Sequence, residues 1–222
     1  MEIKYGPYLQ NLKETETTIV WVSNKPSIGW VELAPDDGSN FYQKERSRYF
    51  DSKNGVKNTS LIHSVKISDL KPGTTYRYRV YSQEILDHQG VEVIYGRIAA
   101  TDVWSKKPLC FTTNDRDKKE ISFTVLNDIH GRTNDISELL NAVNYEENDM
   151  VIYNGDMVSQ SKSEEQVFNS FMNKSIELFA QEKPMYYARG NHETRGVFAT
   201  SFQNYFSVKE PHLYLSLIHI SE

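Results

Sequence analysis

Cysteine is nearly absent. The chain has one, Cys110, so no disulfide can form within it and cysteine-rich zinc sites are excluded. Long apolar runs are missing too. None approaches the ~18 consecutive apolar residues that a membrane-spanning helix needs. Positive charge is not in excess: 25 Lys+Arg against 30 Asp+Glu leave a net charge of −5. A protein that grips nucleic acid by neutralising phosphates needs the opposite balance, so no nucleic-acid-binding surface is expected. The opening Met1-Glu2-Ile3-Lys4 lacks the apolar core of a signal peptide. What is present suffices for a core. Hydrophobic residues make up 38% and aromatics 12% of 222 residues, which allows one large domain or two modest ones and argues against disorder.

The first half alternates short β-rich runs with turn signals. Thr17-Thr18-Ile19-Val20-Trp21-Val22 is β-branched and aromatic, as is Gly29-Trp30-Val31-Glu32-Leu33, closed by the turn Pro35-Asp36-Asp37-Gly38. Leu61, His63, Val65 and Ile67 share one face of a further run, and Tyr76-Arg77-Tyr78-Arg79-Val80-Tyr81 alternates as a half-buried antiparallel strand does. Repeated strands of this kind predict a β-sandwich. Little chemistry is visible here. Cross-strand packing accounts for the tyrosines, with a sugar- or partner-binding surface as the alternative. His63 is expected in the core or at its edge, Cys110 as a buried small hydrophobe, and Arg77 and Arg79 on a solvated strand face.

Asp69-Leu70-Lys71-Pro72-Gly73-Thr74-Thr75-Tyr76-Arg77-Tyr78 resembles the tyrosine corner of fibronectin type III domains, where a Tyr hydroxyl bonds back to the upstream backbone. The segment Tyr5-Gly6-Pro7-Tyr8-Leu9-Gln10-Asn11 is similar to the first strand of the domain that precedes the catalytic domain of purple acid phosphatases.

The polar stretch Thr112-Thr113-Asn114-Asp115-Arg116-Asp117-Lys118-Lys119-Glu120 reads as a linker, and beyond it the period changes. Ile121-Ser122-Phe123-Thr124-Val125-Leu126 is an expected strand. Ile136, Leu139, Leu140 and Val143 recur at helical spacing, and Met150-Val151-Ile152-Tyr153 suits a strand buried on both faces. Ser163-Glu164-Glu165-Gln166 is a capping box. It opens a helix with Phe168, Phe171, Met172, Ser175, Leu178 and Phe179 on one side, and Pro184-Met185-Tyr186-Tyr187-Ala188 is a third strand. This order predicts a parallel sheet with right-handed crossovers, whose ligands bind beyond the carboxyl ends of the strands. Those ends read Asn127-Asp128-Ile129-His130-Gly131, Asn154-Gly155-Asp156-Met157 and Arg189-Gly190-Asn191-His192-Glu193. Carboxylate, imidazole and amide donors on one rim suit divalent transition metals. Turn chemistry offers a plainer account, with Asp128 and Asp156 as helix N-caps and Asn191 as a left-handed turn residue.

Asp128-x-His130, Gly155-Asp156 and Gly190-Asn191-His192-Glu193, in this order and each closing a strand, resemble the first three motifs of the calcineurin-like metallophosphoesterases. The resemblance covers residues 121–195, and the leading sandwich gives it a purple acid phosphatase-like arrangement. It implies a fibronectin-like β-sandwich over residues 1–114. Residues 115–222 would then hold the first half of an α/β/β/α phosphoesterase domain. It further implies metal-dependent hydrolysis of phosphate esters, with a small phosphomonoester or nucleotide favoured as substrate, and a secreted or periplasmic location. Two divalent ions, Mn, Fe or Zn, would be held by Asp128 and His130 at the first position, Asp156 as the bridge, and Asn191 at the second. Such a pair, about 3.5–4 Å apart, polarises phosphoryl oxygens and makes a shared water a nucleophilic hydroxide near neutral pH. His192 would be the catalytic group beside the scissile phosphate, stabilising it or protonating the leaving oxygen. Glu193 would orient the loop, and Asn127 and Asn154 would brace it. Arg132, Arg189 and Arg195 are candidates for phosphate contact, with a surface role equally open.

The chain also departs from the pattern. Ser159 stands where purple acid phosphatases place a tyrosine ligand, and His130 stands where they have no histidine. A tyrosinate–iron(III) centre is therefore not expected. The family adds a histidine and a Gly-His-x-His motif later in the chain. Here only His212 and His219 follow His192, among six histidines in all. The expected ligand set is thus incomplete, and the chain as written is expected to be inactive or nearly so. Residues 202–215 read as a helix and a strand, and residues 216–222 resemble the translated sequencing-adapter runs that end some gene models. Two rival readings remain. One is a non-catalytic carbohydrate- or protein-binding module on a degenerate phosphoesterase scaffold. The other is a single-ion site of Asp128, His130 and Asp156.

Overall fold

Thr17 to Val22 and Gly29 to Leu33 are not two strands but one. In the computed structural model, which describes residues 1–43 and 45–207, they form β2 (Thr17–Pro35). The polar residues Asn24-Lys25-Pro26, which look like a turn, instead make an irregularity across which the register with the neighbouring strand shifts between Val22 and Ser27. Such a bulge increases local twist and lets one strand serve two layers. The strands before the second unit are β1 (Ile3–Gln10), β2, β3 (Ser47–Phe50), β4 (Ser52–Lys53), β5 (Val56–Lys57), β6 (Thr59–Ile67), β7 (Thr75–Gln89), β8 (Glu92–Ala100) and β9 (Leu109–Thr112). Their order is β1-β2-β7-β8. In addition β3 and β6 pair with β2, and β9 pairs with β7. β2 runs antiparallel to β3, β6 and β7, and β7 to β8 and β9. The result is the expected antiparallel β-sandwich.

Its core holds Trp21, Val31, Ile67, Tyr78 and Phe111. The Trp21 indole N–H donates to Ser82 Oγ at 2.8 Å. His63 is fully buried, with Nδ1 2.9 Å from Asp51 Oδ2 and Nε2 2.9 Å from Ser27 Oγ. That is a core histidine with both ring nitrogens partnered. The Tyr76 hydroxyl accepts a 2.9 Å bond from the Lys71 backbone N–H, the local bond that a tyrosine corner requires. Two expectations fail. Cys110 is only partly buried. Arg77 is not solvated: its guanidinium donates to the carbonyls of Pro35 and Ser39, while Arg79 donates to Thr101 O and the Tyr42 hydroxyl.

The second unit begins at Asp117 and also takes in Tyr8–Lys13, leaving Met1–Pro7 and Glu14–Arg116 to the first. Strands β10 (Phe123–Leu126), β11 (Met150–Asn154) and β12 (Met185–Ala188) form a parallel sheet in that order. The register pairs Val125 with Ile152 and Ile152 with Tyr186. Helix α1 (Thr133–Ala142) follows β10. Helix α2 follows β11 and mixes α turns (Glu164–Val167, Asn173–Ser175) with π turns (Phe168–Met172, Ile176–Ala180). Ser163 caps α2, its hydroxyl accepting from the Gln166 N–H at 3.2 Å. The reciprocal arm of the capping box reaches Lys162 N rather than the Ser163 N–H.

On one face of the sheet Tyr153 packs edge-on against Phe171 and bonds Ser175 Oγ at 2.6 Å. Met150, Ile152 and Tyr186 cluster on the other. The Tyr186 hydroxyl meets Leu12 O at 3.4 Å, and the Tyr8 hydroxyl donates to Tyr205 O at 2.7 Å. Residues 8–13 are thus part of this unit's core. α1 buries Ile136 and Leu140, but Leu139 and Val143 are exposed, as are Phe123 and Val125 of β10. The helix reading of residues 202–215 is met by a short 3-10 turn at Phe202–Tyr205; its remainder, with His212, His219 and residues 216–222, lies outside the described residues.

Candidate metal centre

Each of the three strands runs out into a loop, and the first two loops are laced together by backbone. Asp128 N donates to Gly155 O at 3.3 Å, His130 N to Asp156 O at 3.0 Å and Gly131 N to Met157 O at 2.9 Å. Asp128, His130 and Asp156 all sit at positive φ, 57°, 52° and 56°. A non-glycine residue held there costs about 1–3 kcal/mol and persists only where its surroundings over-determine it. Between Asp128 and His130, Ile129 is driven into the core, so its two neighbours face outward. Neither aspartate caps a helix: α1 starts from Arg132 and α2 from Ser163. The N-cap account of these residues therefore fails.

The second and third loops meet through glycines. A Cβ on Gly155, whose φ is +79°, would lie 2.6 Å from Cα and N of Gly190. One on Gly190 would collide with the Asp156 carboxylate. No larger residue fits at either position without moving a strand end. Glu193 lies beneath this junction with no exposed surface. Its Oε2 accepts from Asp156 N (3.0 Å) and Gly190 N (2.9 Å). Its Oε1 accepts from Met157 N (2.7 Å) and Val158 N (3.2 Å). Burial and the Glu193 charge push the neighbouring Tyr187 phenol well above its ordinary pKa.

His130, Asp156 and His192 each bring one donor atom within 4.8 Å of the others. The two imidazoles stand edge to face, centroids 4.4 Å apart. The His192 backbone N–H donates to Asp156 Oδ1 at 3.0 Å. Its Nδ1 lies 2.9 Å from the Ser159 carbonyl. A carbonyl only accepts, so Nδ1 carries the proton, and in the neutral ring Nε2 keeps its lone pair. Arg195 Nη1 stands 3.4 Å from the same Nδ1. Asp128 is more exposed, its Oδ1 3.6 Å from His130 Nε2, and lies outside the tighter group.

The Asn191 amide is the most informative group. Its terminal atom lies 3.2 and 3.0 Å from the two Asp156 oxygens. With nitrogen facing them it donates to both, and its oxygen accepts from Arg195 at 2.8 Å. Binding an ion through the Asn191 side-chain oxygen would require the amide to turn that oxygen toward Asp156 and give up these three bonds. Donor separations of 3.0–3.6 Å match those of adjacent ligands around one ion bound at about 2.0–2.2 Å. Carboxylate, imidazole and amide oxygen suit Mn, Fe or Zn alike. The residues present therefore fit a divalent metal.

The flanking arginines divide. Arg132 folds back onto Asp135 and the Asp128 carbonyl, at 2.6 and 2.9 Å. Arg189 anchors the third loop through Ala199 O at 2.9 Å, whereas Arg195 stays beside His192. Asn127 donates to Asp128, while Asn154 is exposed. Two features had no signal in the sequence: the Ser159 carbonyl that orients His192, since every residue has a carbonyl, and the buried Ser161 hydroxyl that donates to Glu193 O at 3.0 Å.

Fold and rim together define a two-part protein, an antiparallel sandwich followed by parallel strands whose carboxyl ends gather candidate metal donors. Residues 7–106 match the purple acid phosphatase N-terminal domain, and residues 121–220 match the calcineurin-like phosphoesterase domain. The chain thus carries a purple acid phosphatase N-terminal domain followed by a calcineurin-like phosphoesterase domain. No curated protein matches it. Among solved structures, a purple acid phosphatase from yellow lupin (Lupinus luteus) seeds is 16% identical with a TM-score of 0.64, covering 93% of this chain and 41% of its own. The chain thus spans about two fifths of that protein's length. The sixth fibronectin type III domain of human fibronectin type III domain containing protein 3 is 16% identical with a TM-score of 0.28, covering 54% of this chain and 91% of its own.

Proposed function

We propose that the whole protein to which this chain belongs hydrolyses phosphate esters in a metal-dependent reaction, with a small phosphomonoester or nucleotide as the favoured substrate, the chain alone being inactive or nearly so. The observation that carries the proposal is the convergence of one donor atom each from His130, Asp156 and His192 within 4.8 Å on one rim, with the Asn191 amide beside the Asp156 carboxylate. Asp128 and His130 would hold a first ion, Asp156 would bridge, and Asn191 would hold a second through its side-chain oxygen. Bound divalent ions supply Lewis-acid polarisation of a phosphoryl oxygen and activation of the attacking water. The chain's own groups do the rest. Asp156 contributes the negative charge that two dications must share. Its orientation is held by the His192 N–H. His192, fixed by Ser159, would act as the imidazolium: its Nε2 proton passes to the leaving oxygen and the ring returns to the neutral form protonated at Nδ1. Arg195 adds positive charge next to that imidazole. A secreted or periplasmic setting and two domains meeting near residue 115 belong to the same proposal.

The test is Asp156→Asn in the full-length parent protein. The variant should lose metal-dependent hydrolysis of 4-nitrophenyl phosphate and bind Mn(II) at least tenfold more weakly, while folding as the wild type does. Activity within about tenfold of wild type would sink the assignment.

One observation favours a second reading. His130, Asp156 and His192 alone form the tight donor group, and the Nδ1 bond to Ser159 leaves His192 Nε2 as a ligand would have it. A single ion on these three residues would occupy the Nε2 position at which the first reading places the transferred proton. Metal content separates the two. One ion per chain, with affinity lost in His192→Gln, supports the single-ion site; two ions and unchanged affinity in that variant exclude it.

A further inference from the structure

The four backbone N–H groups that meet Glu193 come from two different strand ends. Asp156, Met157 and Val158 follow β11, and Gly190 follows β12. The carboxylate is fully buried and all four bonds fall between 2.7 and 3.2 Å. A glutamate is almost never buried so completely unless its oxygens are satisfied, and here each oxygen takes two donors. Its own backbone is tied as well, since Glu193 O accepts from Ser161 Oγ at 3.0 Å and Arg189 Nη2 at 3.4 Å. Its four bonds all go to the backbone of the loops that carry Asp156 and Asn191, and none of its own surface is exposed.

The geometry points to Glu193 as the positioning residue of the metal centre: it sets Asp156 in its left-handed conformation and fixes the gap between the Asp156 and Asn191 loops before any ion arrives. The inference rests on the proposed metal-binding function and adds a mechanism for how the site is held. Gly155 and Gly190 permit the two backbones to approach. Permission is not attraction, and the fourfold acceptor supplies it. Three successive N–H groups turned toward one carboxylate also explain how residue 156 stays at φ 56°, because the bonds are made only in that turn. No other side chain acceptor serves these amides among the described residues. Asp156 Oδ1 meanwhile accepts the His192 N–H, so the clasp and the ligand are coupled in both directions across the two loops.

Amide hydrogen exchange on the metal-free 222-residue chain tests this directly. The N–H groups of residues 156, 157, 158 and 190 should be protected together without metal. Glu193→Gln offers one acceptor oxygen and a donor that faces N–H groups. It should speed exchange of those four at least tenfold while the amides of Val151 and Ile152 keep their rates. Co(II) titration of the same variant should show affinity weakened by about 10–100-fold, the usual effect of losing a group that orients ligands. Two results would overturn the inference: unprotected amides at 156–158 in the metal-free wild type, or a folded Glu193→Gln that binds Co(II) within about threefold of wild type. Should the variant fail to fold, the wild-type exchange pattern decides alone. A wild type that protects the four amides but binds no cobalt would refute the metal function and leave the clasp standing.

Discussion

Placing a methyl group on Gly155 isolates how tightly two strand ends are pressed together. Gly155→Ala meets two costs. The first is the left-handed backbone at φ +79°, worth about 1–2 kcal/mol for a residue with a Cβ. The second is collision. The new Cβ would stand 2.6 Å from Cα and N of Gly190, where ordinary contact begins at 3.4 Å. Backbone cannot swing aside as a side chain does, so the strand ends must part by most of an ångström. Overpacking of this kind costs about 1–3 kcal/mol, for a total of about 2–5 kcal/mol. Gly131→Ala is the matched control, with φ +80° in the same unit and a Cβ that would lie 3.4 Å from Ser170 Oγ. It carries the backbone cost alone. For a unit of this size about 1 kcal/mol lowers Tm by roughly 4–8 °C. Gly155→Ala should therefore melt at least ~4 °C below Gly131→Ala by calorimetry or circular dichroism, and its Mn(II) affinity should fall further. Equal melting temperatures for the two variants would show that the Gly155–Gly190 junction is slack, and would remove the argument that these glycines set the spacing of the rim.

In the full-length parent, removing the His192 imidazole as His192→Ala should slow alkyl phosphates, whose leaving groups need a proton, more than 4-nitrophenyl phosphate; equal losses on both would strike out proton donation by that residue. Alkali should unfold the second unit. Burial raises the pKa of Tyr8, Tyr153, Tyr186 and Tyr187, that of Tyr186 to about 12. A phenol whose folded pKa is raised contributes stability that is whole below the unfolded value near 10 and is lost as pH rises through the folded value. Stability should thus hold to about pH 10 and decline steeply toward pH 12. Tyrosinate absorbance and circular dichroism should change together there. Phenol ionisation that runs to completion near pH 10 with the fold intact would contradict this burial.

The rim was legible because each of its motifs follows an apolar run and stands next to a glycine. Strand, turn and donor could be read together at Asp128, Asp156 and Asn191. The sandwich was legible in its strands but not in their number. Asn24-Lys25-Pro26 has turn composition, and only the pairing of both flanks with β6 shows that the chain continues straight through. Arg77 looked solvated because strand alternation says nothing about the Pro35–Ser39 loop folding over it. The full burial of Glu193 had no signature beyond its place after His192, since an acceptor of four backbone donors leaves no trace in side-chain pattern. Leu139, Val143, Phe123 and Val125 fit their helix and strand periods yet stay exposed. Periodicity identifies the element but not whether anything covers its second face.

The Tyr8–Tyr205 bond joins residues 197 positions apart. A segment made early is thus completed by one made 197 residues later. A ribosome adds roughly 5–20 residues per second, so Tyr8-Leu9-Gln10 waits on the order of ten seconds or more for its partners to be made. Through that interval two fully buried residues, Tyr8 and Leu9, have no partner from their own unit. Contacts of such sequence separation also form slowly once available. A cut at the linker near residue 115, the natural place to divide the two domains, would therefore separate the second unit from a piece of its own core.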